Sequence, residues 1–414
     1  MVNLRRELGL FDATMLGLGS IVGTGVFVSI GIAAGVAGSS VILAIGVAAL
    51  VATCNALSSA QLAANHPVSG GTYEYGYRWL HPLLGFSAGW MFLCAKTASA
   101  ATAALGFAGY LLEATGQASH LLVPLAVGAV VVLTAVVLVG ARLSSRVNLV
   151  IVSVTLLALV SFVVVGLPAV ETSYFSWDVS PPSFLQACAL MFVAYTGYGR
   201  IATLGEEVVE PRRTIPRAIV ATLVVSAVLY MAVAVVAVGS IGPAELGRVT
   251  AEQGAPLKVA AERFSLPVSR LVAVGAMTAM LGVLLNLLLG LSRMLLAMGR
   301  RADLPRAASR VGVAVIVIGI AVAGLAATGS VRTTWSFSAF TVLIYYSVTN
   351  LAALRLGAGE RMFSPLWAWG GLLSCLLLAF SIEWRVALSG IALLMVGLIV
   401  RAACHRFLAG SPAA

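Results

Sequence analysis

Twelve apolar runs divide this chain, near residues 9–35, 39–64, 83–112, 121–140, 147–168, 184–204, 215–240, 268–298, 310–328, 333–355, 365–382 and 386–403. A hydrocarbon core of about 30 Å is crossed by about 20 apolar residues in a helix, and lipid offers unpaired backbone groups no partner, so such runs fold as membrane-crossing helices. Composition leaves no other class: 60% of residues are hydrophobic and 10% charged, and the mean hydropathy of +1.04 is beyond what a soluble domain of this length sustains. The expectation is an all-α membrane protein of twelve transmembrane helices. Its longest connection, 241–267, leaves no room for a soluble domain, so residues 1–414 read as a single membrane domain.

The positive charges fall on alternate connections: Arg78; Arg142 and Arg146; Arg212, Arg213 and Arg217; Arg300, Arg301, Arg306 and Arg310; Arg355 and Arg361; Arg401 and Arg406. With Arg5 and Arg6 these make sixteen, against six on the other side, Arg248, Lys258, Arg263, Arg270, Arg332 and Arg385, which is shared with Glu113, Glu171 and Asp178. The positive-inside rule then puts both termini and the 65–82 loop in the cytoplasm of a multi-pass protein of the cytoplasmic membrane. Met1–Gly9 has no cleavage region, so the first span is expected to be retained. The net charge of +10 is thus a topology signal and calls for no nucleic acid.

Two runs contain backbone that a continuous helix tolerates poorly. In Gly17-Leu-Gly19-Ser20-Ile21-Val22-Gly23-Thr24-Gly25-Val26-Phe27, glycines at 19, 23 and 25 lie far from either end of the span, and each weakens a helix interior by about 1 kcal/mol relative to alanine. One reading is a helix broken inside the bilayer, which survives only where it is buried in protein or lines a wet cavity. The other is close helix packing, since Gly19-x-x-x-Gly23 is also a small-residue contact motif. The run at 184–204 has a second pair, Gly197 and Gly199, flanked by Tyr195 and Tyr198 and followed by Arg200. The two lie five spans apart, so halves of that length insert with opposite topology, and broken helices at matching positions of inverted halves point to a ligand site between them. That spacing favours the binding-site reading.

Other chemistries find little support. Cys54, Cys94, Cys188, Cys375 and Cys404 fall in or beside apolar runs without a paired spacing, and His66, His81, His120 and His405 lie near membrane edges. No metal-ligand spacing and no nucleophile–base arrangement emerges, so neither a metal site nor an enzyme is expected. A channel would call for charge rings or a carbonyl-filter repeat, neither of which is evident.

Four motifs, taken together, resemble the amino acid-polyamine-organocation superfamily of permeases. Gly19-Ser-Ile-Val-Gly-Thr-Gly-Val-Phe27 is similar to its first-helix signature and Pro67-Val-Ser-Gly-Gly-Thr-Tyr-Glu-Tyr75 to its loop after the second span. Glu206-Glu207 with Glu210-Pro211-Arg212 and Ile215-Pro216-Arg217 is similar to the stretch after the sixth span. Asn286, Gly290-Leu-Ser-Arg293 and Met298-Gly-Arg-Arg-Ala-Asp-Leu-Pro305 resemble the end of the eighth.

The resemblance implies a LeuT-type fold: two inverted five-helix repeats (about 9–168 and 184–355) plus two extra helices (about 365–403), with helices one and six broken in mid-membrane. It implies a secondary transporter of amino acids working by alternating access, or an exchanger or sensor on the same fold without ion coupling. It puts the substrate carboxylate on N–H groups around Thr24 and Gly25, with Gly23 giving close approach, and the amino group on the carbonyls of Ile21, Val193 and Thr196 around Gly197. The physics agrees, because N–H groups opening a half-helix suit an anion and carbonyls closing one suit an ammonium. Backbone contacts do not tell one amino acid from another, so selection falls to side chains such as Tyr195, Tyr198 and Asn286. Oligomeric state is left open.

Two departures bear on substrate and coupling. Relatives often carry an acidic residue where this chain has Gly199, which argues against a cationic substrate, and Arg200 beside it either faces the cavity or anchors a half-helix. Relatives with a lysine in place of Thr155 use its ammonium where sodium-coupled members bind the ion. A threonine oxygen ligates sodium but carries no proton near neutral pH, so the expected coupling ion is sodium, or none, in preference to a proton. Thr278 and Ser292 are the few hydroxyls of the eighth span available to complete such a site. Lys96, the only lysine inside an apolar run, is expected to be functional or bound in a network, because a buried ammonium is costly unless partnered.

Overall fold

The computed structural model describes residues 8–66, 68, 70–140, 145–177, 179–202 and 208–409. Arg5, Arg6, Pro67, Arg142, Asp178, Glu206 and Glu207, on which some of the expectations above rest, lie outside these residues.

Among the described residues the chain is helical throughout, apart from one isolated bridge between Leu8 and Val208. The first apolar run forms α1 (Leu10–Ile21), a π-helical turn (Gly25–Ser29) and α2 (Ile30–Ala37). There follow α3 (Val41–Asn65), α4 (Thr72–Trp79), α5 (Pro82–Thr115), α6 (Leu122–Leu138), α7 (Ser145–Gly166), α8 (Pro181–Tyr195), α9 (Gly199–Ala202) and α10 (Pro211–Ile241). The remainder comprises α11 (Pro243–Glu252), α12 (Pro256–Ala261), α13 (Ser269–Arg300), α14 (Val311–Ala326), α15 (Val331–Leu354), α16 (Pro365–Ala379) and α17 (Trp384–Ala409).

The local sequence explains where these helices start. Proline opens α5, α8, α10, α11, α12 and α16, a position whose N–H has no intrahelical acceptor anyway. The side chains of Ser180, Ser330 and Ser364 accept from the N–H groups of Ser183, Thr333 and Leu366 at 3.4, 3.2 and 3.3 Å, satisfying donors that lipid would leave bare.

Among the described residues, eight helical stretches are long and apolar enough to cross a membrane: Gly25–Asn65, Pro82–Thr115, Ser119–Leu138, Arg146–Ala169, Pro211–Ile241, Ser269–Arg300, Val331–Leu354 and Trp384–Arg406. α1, α14 and α16 are shorter apolar helices. The most apolar windows of α5 and α15 are 83% and 78% buried, against 17% for those of α6 and α17. The first pair therefore pack along each other at the centre of the bundle and the second pair lie at its edge. Outward-facing Val131, Val132, Val164, Val228, Ile320, Leu373 and Ile399 are exposed, as lipid-facing side chains must be. All five cysteines are free; Cys54, Cys94, Cys188 and Cys375 are buried as packing residues and Cys404 is half-buried.

Candidate functional site

The two glycine-bearing stretches meet. α1 stops at Ile21, Val22 turns extended (φ −79°, ψ 102°), and the chain resumes at Gly23, whose carbonyl accepts from the N–H groups of both Val26 and Phe27 (3.1 and 3.2 Å). Thr24 and Gly25 therefore occupy an opening turn, where N–H groups have no intrahelical acceptor. At the other stretch α8 tightens into a 3₁₀ turn at Thr196–Tyr198 and runs on into α9. That path stays right-handed: Thr196 has φ −66°, ψ −3° and Gly199 has φ −53°, ψ −26°.

Glycine is what lets the two approach. A Cβ on Gly197 would lie 2.2 Å from the carbonyl oxygen of Ser20 and 2.7 Å from the nitrogen of Ile21, and one on Gly25 would lie 2.6 Å from Cβ of Ala194. Such distances are too short for any real Cβ, so backbone packs on backbone here. A Cβ on Gly23 would meet Val283 of α13 at 2.7 Å. In this conformation the space beyond Gly23 and Gly25, which the family resemblance reserves for a carboxylate, is filled by these neighbours.

Protein hydroxyls already engage the carbonyls at this crossing. Tyr230 of α10 donates to the Ile21 carbonyl at 2.8 Å, the Thr196 hydroxyl donates to the Val193 carbonyl at 2.8 Å, and the Tyr346 hydroxyl lies 3.5 Å from the Thr196 carbonyl. Lys96 of α5 donates from Nζ to Oγ1 of Thr196 at 2.7 Å, which supplies the partner that the sequence leaves unnamed. The buried Thr24 hydroxyl has no hydrogen-bond partner among the described residues.

The remaining candidates are placed less uniformly. Tyr195 is buried, with its hydroxyl 3.3 Å from the Ile45 carbonyl and its ring 5.4 Å from that of Tyr230. Tyr198 is buried with its ring 5.5 Å from that of Tyr346. Asn286 is half-buried on α13, close to one turn beyond Val283. Thr155 is buried on α7 and donates to the Ile151 carbonyl at 2.7 Å; its oxygen keeps its acceptor capacity. Thr278 and Ser292 likewise donate to their own helix, at 2.9 and 3.0 Å. Arg200 is exposed on α9 and stands outside the buried cluster.

Sequence reasoning missed Tyr230 and Tyr346. A signal for the first existed, since Tyr230 is the only aromatic residue of α10, and an isolated tyrosine in an apolar helix needs a hydroxyl partner. It also missed a second buried polar cluster. The Asp303 carboxylate, 1% exposed, accepts from the hydroxyls of Tyr73 and Tyr77, each at 2.6 Å. It also accepts from Nε of Arg401 at 2.8 Å, and Nε2 of His405 lies 3.4 Å away. Burial alone would raise the Asp303 pKa, but the hydrogen bonds from Tyr73, Tyr77, Arg401 and His405 hold it below the ordinary carboxylate value. Burial and that carboxylate push the Tyr77 phenol up to about 12. Arg301 adds its guanidinium 4.2 Å from the Tyr77 ring centre and pairs with Glu74 at 2.9 Å.

A separate cavity of about 270 Å³ lies away from both clusters, bordered by Ile32, Gly35, Thr250, Arg248 and Arg332. Its arginines are paired, Arg248 with Glu245 and Glu252 and Arg332 with Glu383, so its charge is balanced internally.

Known proteins share this sequence at length. The profile of the family described as Amino acid permease matches residues 12–395. An uncharacterized transporter of Mycobacterium tuberculosis is 42% identical over 405 residues, which span 95% of this chain and 90% of that protein. A branched-chain amino acid permease of Bacillus subtilis is 29% identical over 331 residues, 75% of this chain and 70% of that one. A methylthioribose transporter of Bacillus subtilis is 28% identical over 325 residues, 73% and 69%. These relatives are transporters and not enzymes, and a match that runs through nearly every helix, the two contacting glycine stretches included, covers far more than a shared motif. This chain is therefore a multi-pass integral membrane protein of the amino acid permease family.

Proposed function

We propose that this permease is a secondary active transporter that moves amino acids by alternating access, with the substrate held where α1 and α8 meet. The observation that carries the reading is the contact itself: α1 opens at Val22–Gly23 against the 3₁₀ turn Thr196–Tyr198. The opening turn at Thr24 and Gly25 offers a carboxylate its free N–H groups, and the carbonyls of Ile21, Val193 and Thr196 offer an ammonium its acceptors. Tyr195, Tyr198 and Asn286 are the candidate side chains for selection. Binding requires the end of α1 to part from Gly197 and the end of α8 to part from Gly25, a movement that rocking of one inverted half against the other supplies.

The finer architecture belongs to the same reading. Twelve spans arise when α1 is joined to α2, α8 to α9, and α14 and α16 are counted as crossing; the first ten form two inverted repeats within one domain and both termini are cytoplasmic. Thr155 marks the coupling position, which gives a sodium-driven carrier or an ion-independent exchanger. One relative named for methylthioribose supports keeping a non-amino-acid substrate as the competing reading.

Counterflow of labelled amino acids in proteoliposomes tests the function, since a carrier shows stimulation by substrate on the far side and a channel or sensor does not. Absence of counterflow with every amino acid tried would refute it. Uptake with sodium and proton gradients imposed separately tests the coupling: strong accumulation driven by protons in sodium-free buffer would overturn the sodium assignment. If sodium is the ion, Thr155→Lys is expected to abolish sodium dependence while exchange persists.

A further inference from the structure

We propose that Lys96 is the counter-charge of a net-anionic carboxylate substrate, and so sets the substrate class of this carrier. The proposal rests on the transport reading above.

Lys96 lies within α5, the most deeply packed span, and its neighbours Ala95, Thr97 and Ala98 are buried. Its side chain is directed inward, onto Thr196, yet it retains accessible surface. An ammonium has three donors, and the bond to Thr196 accounts for one of them.

Among the described residues, the ion pairs of Glu74, Glu113, Glu210, Glu245, Glu252, Glu262, Asp303 and Glu383 are with other bases, and none includes Lys96. The closing carbonyls of α8 supply a partial negative charge of about half a unit. A buried ammonium costs several kcal/mol unless it is paired with a full anion. An ammonium with donors to spare suits an anion that comes and goes, and in a carrier the group that comes and goes is the substrate.

The rest of the crossing points the same way. The carbonyls that would receive a substrate ammonium already accept from Tyr230 and Thr196, and Lys96 adds a full positive charge beside them. A cationic substrate meets repulsion there, a neutral amino acid gains nothing from Lys96, and a substrate with a carboxylate in excess of its amines gains a charge-assisted pair.

Proteoliposome counterflow with glutamate, glutamine, leucine, arginine and glutarate separates these cases. The expected result is that glutamate binds at least about tenfold more tightly than glutamine, that Lys96→Met brings the two to near parity, and that Lys96→Arg keeps the preference. Glutarate matching glutamate would show that the amine adds nothing to recognition; glutamate alone would identify an acidic amino acid, and both results uphold the proposal. Thermal unfolding in detergent establishes that each variant is folded before transport is read. Robust counterflow of leucine or glutamine in preference to glutamate, unchanged by Lys96→Met, would overturn the proposal while leaving the transport reading intact. Silence with all five compounds would overturn both.

Discussion

Lys96 and Asp303 are both ionisable groups set inside this bundle, and their surroundings differ in kind. Asp303 accepts from two tyrosines and an arginine, and these donors come from α4 and α17, so one carboxylate fastens together three distant parts of the chain. Among the described residues Lys96 has a single neutral partner, on the turn that follows α8. A buried charge with its valences filled acts as a fastening, because separating the elements exposes several unpaired groups at once. A charge with valences open is poorly suited to that role and well suited to receiving a ligand. The same contrast holds for backbone: the crossing at Gly25 and Gly197 is held by the absence of side chains, whereas the Asp303 cluster is held by their presence.

Removal of each charge should therefore affect stability very differently. Asp303→Ala leaves the Arg401 guanidinium, 13% exposed, without its carboxylate, and is expected to cost about 3–5 kcal/mol, read as a large fall in the thermal unfolding temperature in detergent; an unchanged midpoint would end the fastening argument. The pH dependence follows from the lowered Asp303 pKa. Its stabilising contribution is complete above the unfolded carboxylate value of about 3.9 and is lost as pH falls through the lower folded value. Acid sensitivity in that window should diminish in Asp303→Asn.

Gly197→Ala forces a Cβ to 2.2 Å from the Ser20 carbonyl oxygen, where only backbone can yield, and is expected to cost about 2–3 kcal/mol. A variant as stable as the parent would mean that the two stretches do not pack as described. Tyr77→Phe removes one hydroxyl donor from Asp303 while Tyr73 and Arg401 remain, and should cost about 1 kcal/mol by the same assay. Lys96→Met should be the least disturbing, within about 1 kcal/mol of the parent or slightly stabilising, because it keeps the apolar stem and removes an unbalanced charge. A loss as large as that of Asp303→Ala would show that Lys96 is a fastening after all and erase the contrast.

Much of this was legible in advance. The twelve apolar runs each coincide with a helix or a consecutive set of helices, since hydropathy and the demand for internal hydrogen bonding leave a membrane chain few alternatives. Gly19–Phe27 and Tyr195–Gly199 stand out in sequence because glycine clusters contradict their apolar surroundings, and they do come together. The sequence does not say how each departs from helix: the first opens at Val22 and the second merely tightens at Thr196–Tyr198. Nor does it show that Val283 and Ala194 occupy the space beside Gly23 and Gly25.

Sequence alone determined the membrane class, the positions of the apolar helices and the two glycine-bearing stretches that meet, because these follow from local composition and from the solvent that surrounds the chain; α4, α11 and α12 fold within the 65–82 and 241–267 connections that read as loops. Only the tertiary structure decided which donor meets which acceptor. Tyr230 lies 209 residues from Ile21, Lys96 lies 100 from Thr196, and Tyr73 lies 230 from Asp303. A side chain's hydrogen-bonding capacity is written in its chemistry, but its partner depends on how distant helices rotate and register against one another, and no local pattern along the chain encodes that.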